Sequence, residues 1–306
     1  MRPDVGASTG RSDPPHRAPA TPILRLRLSD GRTLAYATWG DPSGAPIFFF
    51  HGTPSSRLEL PIDDNACCAL GIRLITLDRP GFGASELAPR RTLLDWADDV
   101  RAVADALRIG RFAVLGVSGG GPHAAACARR LGDRVSRAGL VSSVSSLQRP
   151  GATEGMVPFN RVEFALARRI PLALRPVYAA LAHSVRRNPD SFLQRFAAPL
   201  GAQDRAILAR PDFRSRFVET FAESLGRGVA GYVHEVTLLA RPWGFDPGDI
   251  RVPCVVWHGS EDRLIPEHHG RHLAAVIPGC AATYHPRDGH FLLFQRGAEI
   301  LKALVS

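Results

Sequence analysis

The stretch Arg111–Arg130, RFAVLGVSGGGPHAAACARR, decides the fold. Phe112 to Val117 is an unbroken apolar run of strand length, which suits a strand buried on both faces of a sheet. Pro122 and the alanines behind it read as a first helical turn and its continuation. Ser118 therefore stands at a sharp strand-to-helix corner. Such a corner has no room for side chains two residues to either side, and Gly116 and Gly120 occupy those places. The result is a GxSxG pattern that presents a serine hydroxyl at the tip of a strand. Gly6 to Gly10 spell the same pattern in a polar stretch with no strand before it and no helix after it, so that copy carries no such expectation.

With 306 residues and 45% hydrophobic content, the chain can bury a core large enough for one α/β domain carrying an insertion, or for two small domains. Residues 1–22, rich in Pro, Arg, Ser, Thr and Ala, lack the large apolar side chains of a core and read as a disordered N-terminal tail. No apolar stretch of signal-peptide length precedes Ile23, and no run of about 18 apolar residues occurs anywhere. A soluble, cytoplasmic protein without a membrane span is expected. The five cysteines, Cys67, Cys68, Cys127, Cys254 and Cys280, are odd in number and lack CxxC spacing, so free buried thiols are expected rather than disulfides or a metal centre. The formal charge of +9 raises the question of nucleic acid, yet 37 of the 38 basic residues are arginine and none form a run interleaved with aromatics. The expected partner is a small-molecule substrate, not nucleic acid.

Outward from Ser118 the same rhythm repeats. Ile23 to Leu28 and Thr33 to Trp39 flank Ser29-Asp30-Gly31 as a β-hairpin. Ile47 to Phe50, Ile72 to Leu77, Val135 to Val141, Val252 to Trp257 and Ala282 to His285 read as further strands, most ending in glycine-bearing turns that lead toward helices. Strands alternating with helices predict a mostly parallel central sheet flanked by helices, with ligands gathered at the carboxyl ends of the strands. The rhythm breaks between residues 143 and 245. There Arg161 to Arg169, Arg186 to Phe196, Arg214 to Leu225 and Gly231 to Ala240 read as amphipathic helices. The predicted organisation is a core of residues 23–142 and 246–306 with a helical cap inserted at 143–245. Between Ser145 and Arg241 there are 14 arginines against 8 acids, read as a solvated helical surface.

A serine hydroxyl is a weak nucleophile at neutral pH and needs a base, itself oriented by an acid. His290, on the loop between the last strand and the C-terminal helix, is the candidate base; Asp262, after the penultimate strand, is the candidate acid. Glu261 and Asp249 are rivals for the acid, and His285 for the base, although His285 falls inside the predicted strand. Gly119, next after the serine and opening a helix, offers an N–H to a developing oxyanion with the helix dipole behind it.

The order Ser118, Asp262, His290, together with the GxSxG corner, the His51-Gly52-Thr53-Pro54 turn and the helical insertion, resembles the α/β-hydrolase fold superfamily over about residues 23–306. The resemblance implies Ser118 as nucleophile, His290 as general base then acid, and Asp262 as the group that fixes the imidazole, with the family's spacing from Gly259 and Pro266. The HGxP-type turn implies the Thr53 N–H as the second oxyanion donor. Gly52 lets the chain approach the substrate, Pro54 has no N–H to give, and His51 ties the loop down. Asp78 to Gly83 is expected as a structural turn bordering the pocket. No cofactor or metal is implied.

Within this superfamily, epoxide hydrolases and haloalkane dehalogenases use aspartate where this chain has Ser118, which argues against reading Tyr178 and Tyr232 as epoxide-opening tyrosines. Proline iminopeptidases carry HGGPG and GxSWG where this chain has HGTPS and GVSGG. Ester cleavage through an acyl-enzyme asks least of the residues. Amide cleavage, carbon–carbon bond hydrolysis, perhydrolysis and a non-catalytic ligand-binding or receptor role are the alternatives. Among Met156, Phe159, Phe164, Tyr178, Phe192, Phe196, Phe217, Phe221 and Tyr232, helical spacing favours core packing over pocket lining for most.

Overall fold

A computed structural model describes residues 23–306; the expected tail and the Gly6–Gly10 copy of the pattern lie outside the described residues. Eight strands form one sheet in the order β1-β2-β4-β3-β5-β6-β7-β8: β1 (Leu24–Arg27), β2 (Thr33–Gly40), β3 (Ala45–Phe50), β4 (Ile72–Leu77), β5 (Phe112–Val117), β6 (Val135–Val141), β7 (Cys254–Gly259) and β8 (Ala281–His285). The hairpin β1–β2 pairs Leu24 with Tyr36 and Arg27 with Thr33, and β2 runs antiparallel to β4. From β4 to β8 every pairing is parallel. The predicted mostly parallel sheet is what forms.

Side-chain alternation explains how one sheet fills two layers. On β3, Phe48 and Phe50 point to the face covered by α2 (Asp95–Ala106) and α3 (Gly121–Arg130), while Ile47 and Phe49 point to the opposite face, covered by α1 (Asp64–Ala69). On β5, Phe112 and Val114 join the first layer, and Ala113, Leu115 and Val117 join the second. Burial of each such side chain stabilises the fold by roughly 1.5–3 kcal/mol, and truncating Phe48 or Phe50 to alanine costs about 3–5 kcal/mol.

Between β6 and β7 lie α4 (Pro158–Arg169), α5 (Leu174–Arg187), α6 (Pro189–Ala197), α7 (Ala202–Ala209), α8 (Pro211–Ser224) and α9 (Ala230–Leu239). The predicted helix Arg186–Phe196 is in fact the junction of two. Pro189 forces Asn188 out of the helical region, to φ −146° and ψ 73°, and the Asn188 side chain then caps α6 by accepting from the Ser191 N–H at 3.1 Å. Prolines at 171 and 176 hide α5 from periodicity alone. Strand β7 starts at Cys254 rather than Val252, since Pro253 has no N–H for the ladder. After it, α10 (His268–Val276) covers the α2 and α3 face, and α11 (Leu293–Val305) covers the α1 face.

All five cysteines are free, but only Cys67, Cys127 and Cys254 are buried; Cys68 is exposed and Cys280 partly so, which corrects the expectation of uniformly buried thiols. Cys68 lies on a short surface helix whose inner face is taken by Cys67. Among the described residues no helix is long and apolar enough to cross a membrane.

Candidate active site

The GxSxG corner forms where the apolar strand ends. Ser118 takes φ +55°, a conformation that costs an L-residue about 1–3 kcal/mol and that persists only where surrounding packing enforces it. A Cβ on Gly116 would run into the carbonyl of Gly120, and one on Gly120 into the carbonyl of Phe50 on β3, so both positions admit glycine alone. The turn residues Ser118–Gly120 lead directly into α3.

His290 reaches the same place from the loop after β8. Its Nδ1–H donates to Asp262 Oδ2 at 2.7 Å, while Asp262 Oδ1 accepts from the Leu264 and Ile265 N–H groups at 2.9 and 2.8 Å. Burial alone would raise the Asp262 carboxyl; the facing His290 and His258 outweigh it and bring the pKa down to about 2. Burial conversely opposes the charged form of His290, yet Asp262 ahead of Asp204 and Glu59 carries its pKa above 6.5. Of the rival residues, Asp249 is half exposed beside Arg129 at 3.5 Å and Glu261 is exposed. His285 lies within β8, near Asp288.

Two residues unremarked in the sequence hold the His290 loop. Asp204, fully buried on α7, accepts the His290 N–H through Oδ2 and the Phe291 N–H through Oδ1, both at 3.0 Å. Ser142, at the end of β6 with φ +45°, donates its hydroxyl to the His290 carbonyl at 3.1 Å. A carboxylate from the helical insertion thus caps the loop that carries the imidazole.

The turn after β3 faces the corner. A Cβ on Gly52 would lie 3.7 Å from Ser118 Cβ, and one on Gly119 would strike Thr53 Oγ1, so Thr53 and Gly119 meet beside the serine. Arg79 fixes this turn from behind. Its guanidinium donates to the His51 carbonyl, to the Gly52 carbonyl at 2.9 Å and to Thr53 Oγ1 at 2.7 Å. Because C=O and N–H of a trans peptide point in opposite directions, anchoring the Gly52 carbonyl turns the Thr53 N–H away from the arginine. The buried His51 accepts the Arg79 N–H at Nε2 and therefore carries its proton on Nδ1, which donates to the Gly52 carbonyl at 2.7 Å. Burial, then Arg79, depresses the His51 pKa well below 6.5, so it stays neutral and structural. The turn Asp78–Gly83 does not border the cavity as expected. Arg79 places it one layer behind, with the Thr53 turn between.

Ser118, Gly119, Thr53, Pro54 and His290 share one cavity of about 320 Å³, roofed by side chains of the helical insertion. Seven of the nine apolar insertion residues singled out from sequence line it; Met156 and Tyr178 do not. Six of these seven, all but the exposed Phe159, also pack the insertion's own core, so for them packing and lining are not alternatives. Two carboxyls also face the cavity. Glu59 accepts the Gly52 N–H at 2.8 Å, and Glu163 accepts both the Tyr178 and Tyr232 hydroxyls, which occupies the tyrosines once weighed for epoxide opening. A signal for such residues exists in the sequence: Glu235 is the one acid in AGYVHEVTLL, a largely apolar helix, and proves to be buried against Arg79. Among the described residues no group of three or more His, Cys, Asp or Glu side chains is arranged to hold a metal ion.

Residues 45–296 match the family model described as the alpha/beta hydrolase fold. A bifunctional esterase/perhydrolase of Acinetobacter calcoaceticus is 34% identical over 287 residues, covering 92% of this chain and 98% of its own. A non-heme haloperoxidase of Rhodococcus erythropolis is 36% identical over 267 residues, covering 82% and 86%. In fold, the chain is similar to the crystal structure of an esterase from Rhodococcus sp. ECU1013, with 23% identity, a TM-score of 0.67 and coverage of 93% and 98%.

Proposed function

The chain belongs to the α/β-hydrolase fold family, and from that footing we propose that it is a serine hydrolase that cleaves small to medium carboxylic esters through an acyl-enzyme on Ser118. The observation that carries this reading is the Asp262–His290 hydrogen bond of 2.7 Å opening onto the same cavity as a serine held at φ +55°. Ser118 Oγ attacks the ester carbonyl while His290 Nε2 takes its proton. The oxyanion is met by the Thr53 and Gly119 N–H groups, each such donor typically contributing about 2.7–4 kcal/mol. The tetrahedral adduct collapses, the C–O bond breaks, and the alcohol leaves with the proton from His290. Water then attacks the acyl-enzyme with His290 again as base, releasing the carboxylic acid. Asp262 stays ionised throughout and stabilises the imidazolium. Residues 143–245 act as the cap that excludes bulk solvent.

The test is labelling with a fluorophosphonate, read by intact mass and peptide mapping. Adduct on Ser118, lost in Ser118→Ala and His290→Ala, supports the reading; no adduct on folded protein overturns it and directs attention to ligand binding without turnover. A second reading is perhydrolysis, in which hydrogen peroxide replaces water as the acyl acceptor and a peracid is released. The 34% identity to a bifunctional esterase/perhydrolase over nearly the whole chain favours including it. Peracid formation from a short acyl ester and peroxide, dependent on Ser118, identifies it.

A further inference from the structure

We propose that Glu163 is a substrate-recognition residue of the cavity and that the substrate presents to it an uncharged hydroxyl or amide N–H. The proposal rests on the ester-hydrolase reading for the reaction, but not for the binding. Helix α4 carries Glu163 into the cavity wall with 6% of its surface exposed. Its Oε1 accepts from the Tyr178 hydroxyl at 2.7 Å and the Tyr232 hydroxyl at 2.9 Å, and the two rings stack at 3.9 Å between centroids, 10° from parallel. One carboxyl oxygen is thereby fixed by two donors. The other, Oε2, takes no partner among the described residues and is not sealed from the cavity.

A buried carboxyl facing an apolar cavity is costly unless something answers it. No arginine, lysine or histidine does so among the described residues; burial raises the carboxyl to about 7 even against the two tyrosine donors. Apolar packing alone would be served better by leucine or methionine. The pre-oriented, unfilled acceptor is the pattern of a polar anchor in a mainly apolar ligand site. The partner is uncharged for a second reason. Arg195 and Arg216 also border the cavity and are exposed, so they oppose an incoming ammonium, while a carboxylate would face Glu163 itself.

The test compares acetates of C4–C8 alcohols and methyl esters of C4–C8 acids, each ending in methyl or in hydroxymethyl, in wild type, Glu163→Gln and Glu163→Leu. In wild type the hydroxyl-terminated ester of the fitting length is expected to exceed its methyl-terminated partner in kcat/KM by at least about tenfold. That ratio collapses in Glu163→Leu and shrinks in Glu163→Gln. An unchanged ratio in either folded variant overturns the proposal. Binding of 1,6-hexanediol against 1-hexanol, read by saturation-transfer NMR on the full chain, tests the same point without turnover. Preference for the diol in wild type but not in Glu163→Leu supports the recognition role even where Ser118 takes no fluorophosphonate; equal preference in both proteins overturns it whatever Ser118 does.

Discussion

Glu235 on α9 and Arg79 on the loop after β4 form an ion pair of 2.9 Å in which neither side chain has any solvent exposure. The second oxygen of Glu235 takes Arg91, and His123 lies 3.6 Å from the first. Burial by itself would raise the Glu235 carboxyl, but Arg79, His123 and Arg91 hold it far below the usual carboxylate range. Since the same Arg79 guanidinium grips the His51 and Gly52 carbonyls and Thr53 Oγ1, one carboxylate from the helical insertion neutralises the cation that orients the candidate oxyanion turn.

Removing that carboxylate leaves two buried guanidiniums facing each other. Glu235→Ala is expected to lower stability by about 3–5 kcal/mol, measured by urea unfolding, and to lower kcat as the Thr53 peptide loses its anchor. A loss under about 0.5 kcal/mol would show that the pair does not hold the turn.

The serine itself offers a cleaner separation of strain from chemistry. At φ +55°, alanine is strained as serine is, whereas glycine is not. Ser118→Gly and Ser118→Ala should both lose turnover, but Ser118→Gly should be the more stable by about 1 kcal/mol, seen as a Tm a few degrees higher. Equal melting temperatures would mean that the corner is relaxed.

How much of this was legible in the sequence follows from the range of the forces involved. Strands β4, β5 and β6 match the predicted ranges to the residue, because short apolar-rich runs bounded by turn residues are local signals. The candidates Ser118, Asp262 and His290 were picked out by similarly local signals: Ser118 directly follows Val117 at the end of β5, and the other two lie in the loops after Gly259 and His285. Asp204, Glu163 and Glu235 were not. Each is an acid on an insertion helix with a partner far away in the chain, 86 residues for Asp204 and His290, 156 for Arg79 and Glu235 and 69 for Glu163 and Tyr232, although Glu163 also has Tyr178 at 15 residues. A one-dimensional pattern shows only that an acid interrupts an apolar face, as Glu235 does. The split at Asn188-Pro189 is marked by the proline alone, in a stretch whose apolar spacing is helical on both sides.

The pH dependence of turnover should carry the signature of the acids around His290. As the base it must be neutral, and its pKa lies above 6.5 because Asp262, Asp204 and Glu59 outweigh its burial. The acid limb of kcat/KM is therefore expected to have an apparent pKa above 6.5. Asp204→Asn removes one negative charge and one of the two backbone hydrogen bonds to the loop. The limb should move to lower pH while kcat falls. A limb that stays in place would show that Asp204 holds the loop without acting on the imidazole's charge.

Glu163 gives the opposite linkage, in stability rather than rate. Burial, only partly countered by Tyr178 and Tyr232, raises its carboxyl from 4.5 to about 7. Between those values the folded state binds more protons than the unfolded chain, so stability falls as pH rises through this window and levels off above it. The ionised group costs about 3 kcal/mol by pH 8 relative to pH 4, an order-of-magnitude figure. Glutamine keeps the shape and an acceptor for the tyrosines and does not titrate. Urea unfolding at pH 5 and pH 8 should therefore show Glu163→Gln gaining on wild type as pH rises, by about 2–3 kcal/mol across the interval. Parallel stabilities of the two proteins at both pH values would mean that the Glu163 carboxyl ionises as freely in the folded protein as in water, and that a cation or solvent reaches it.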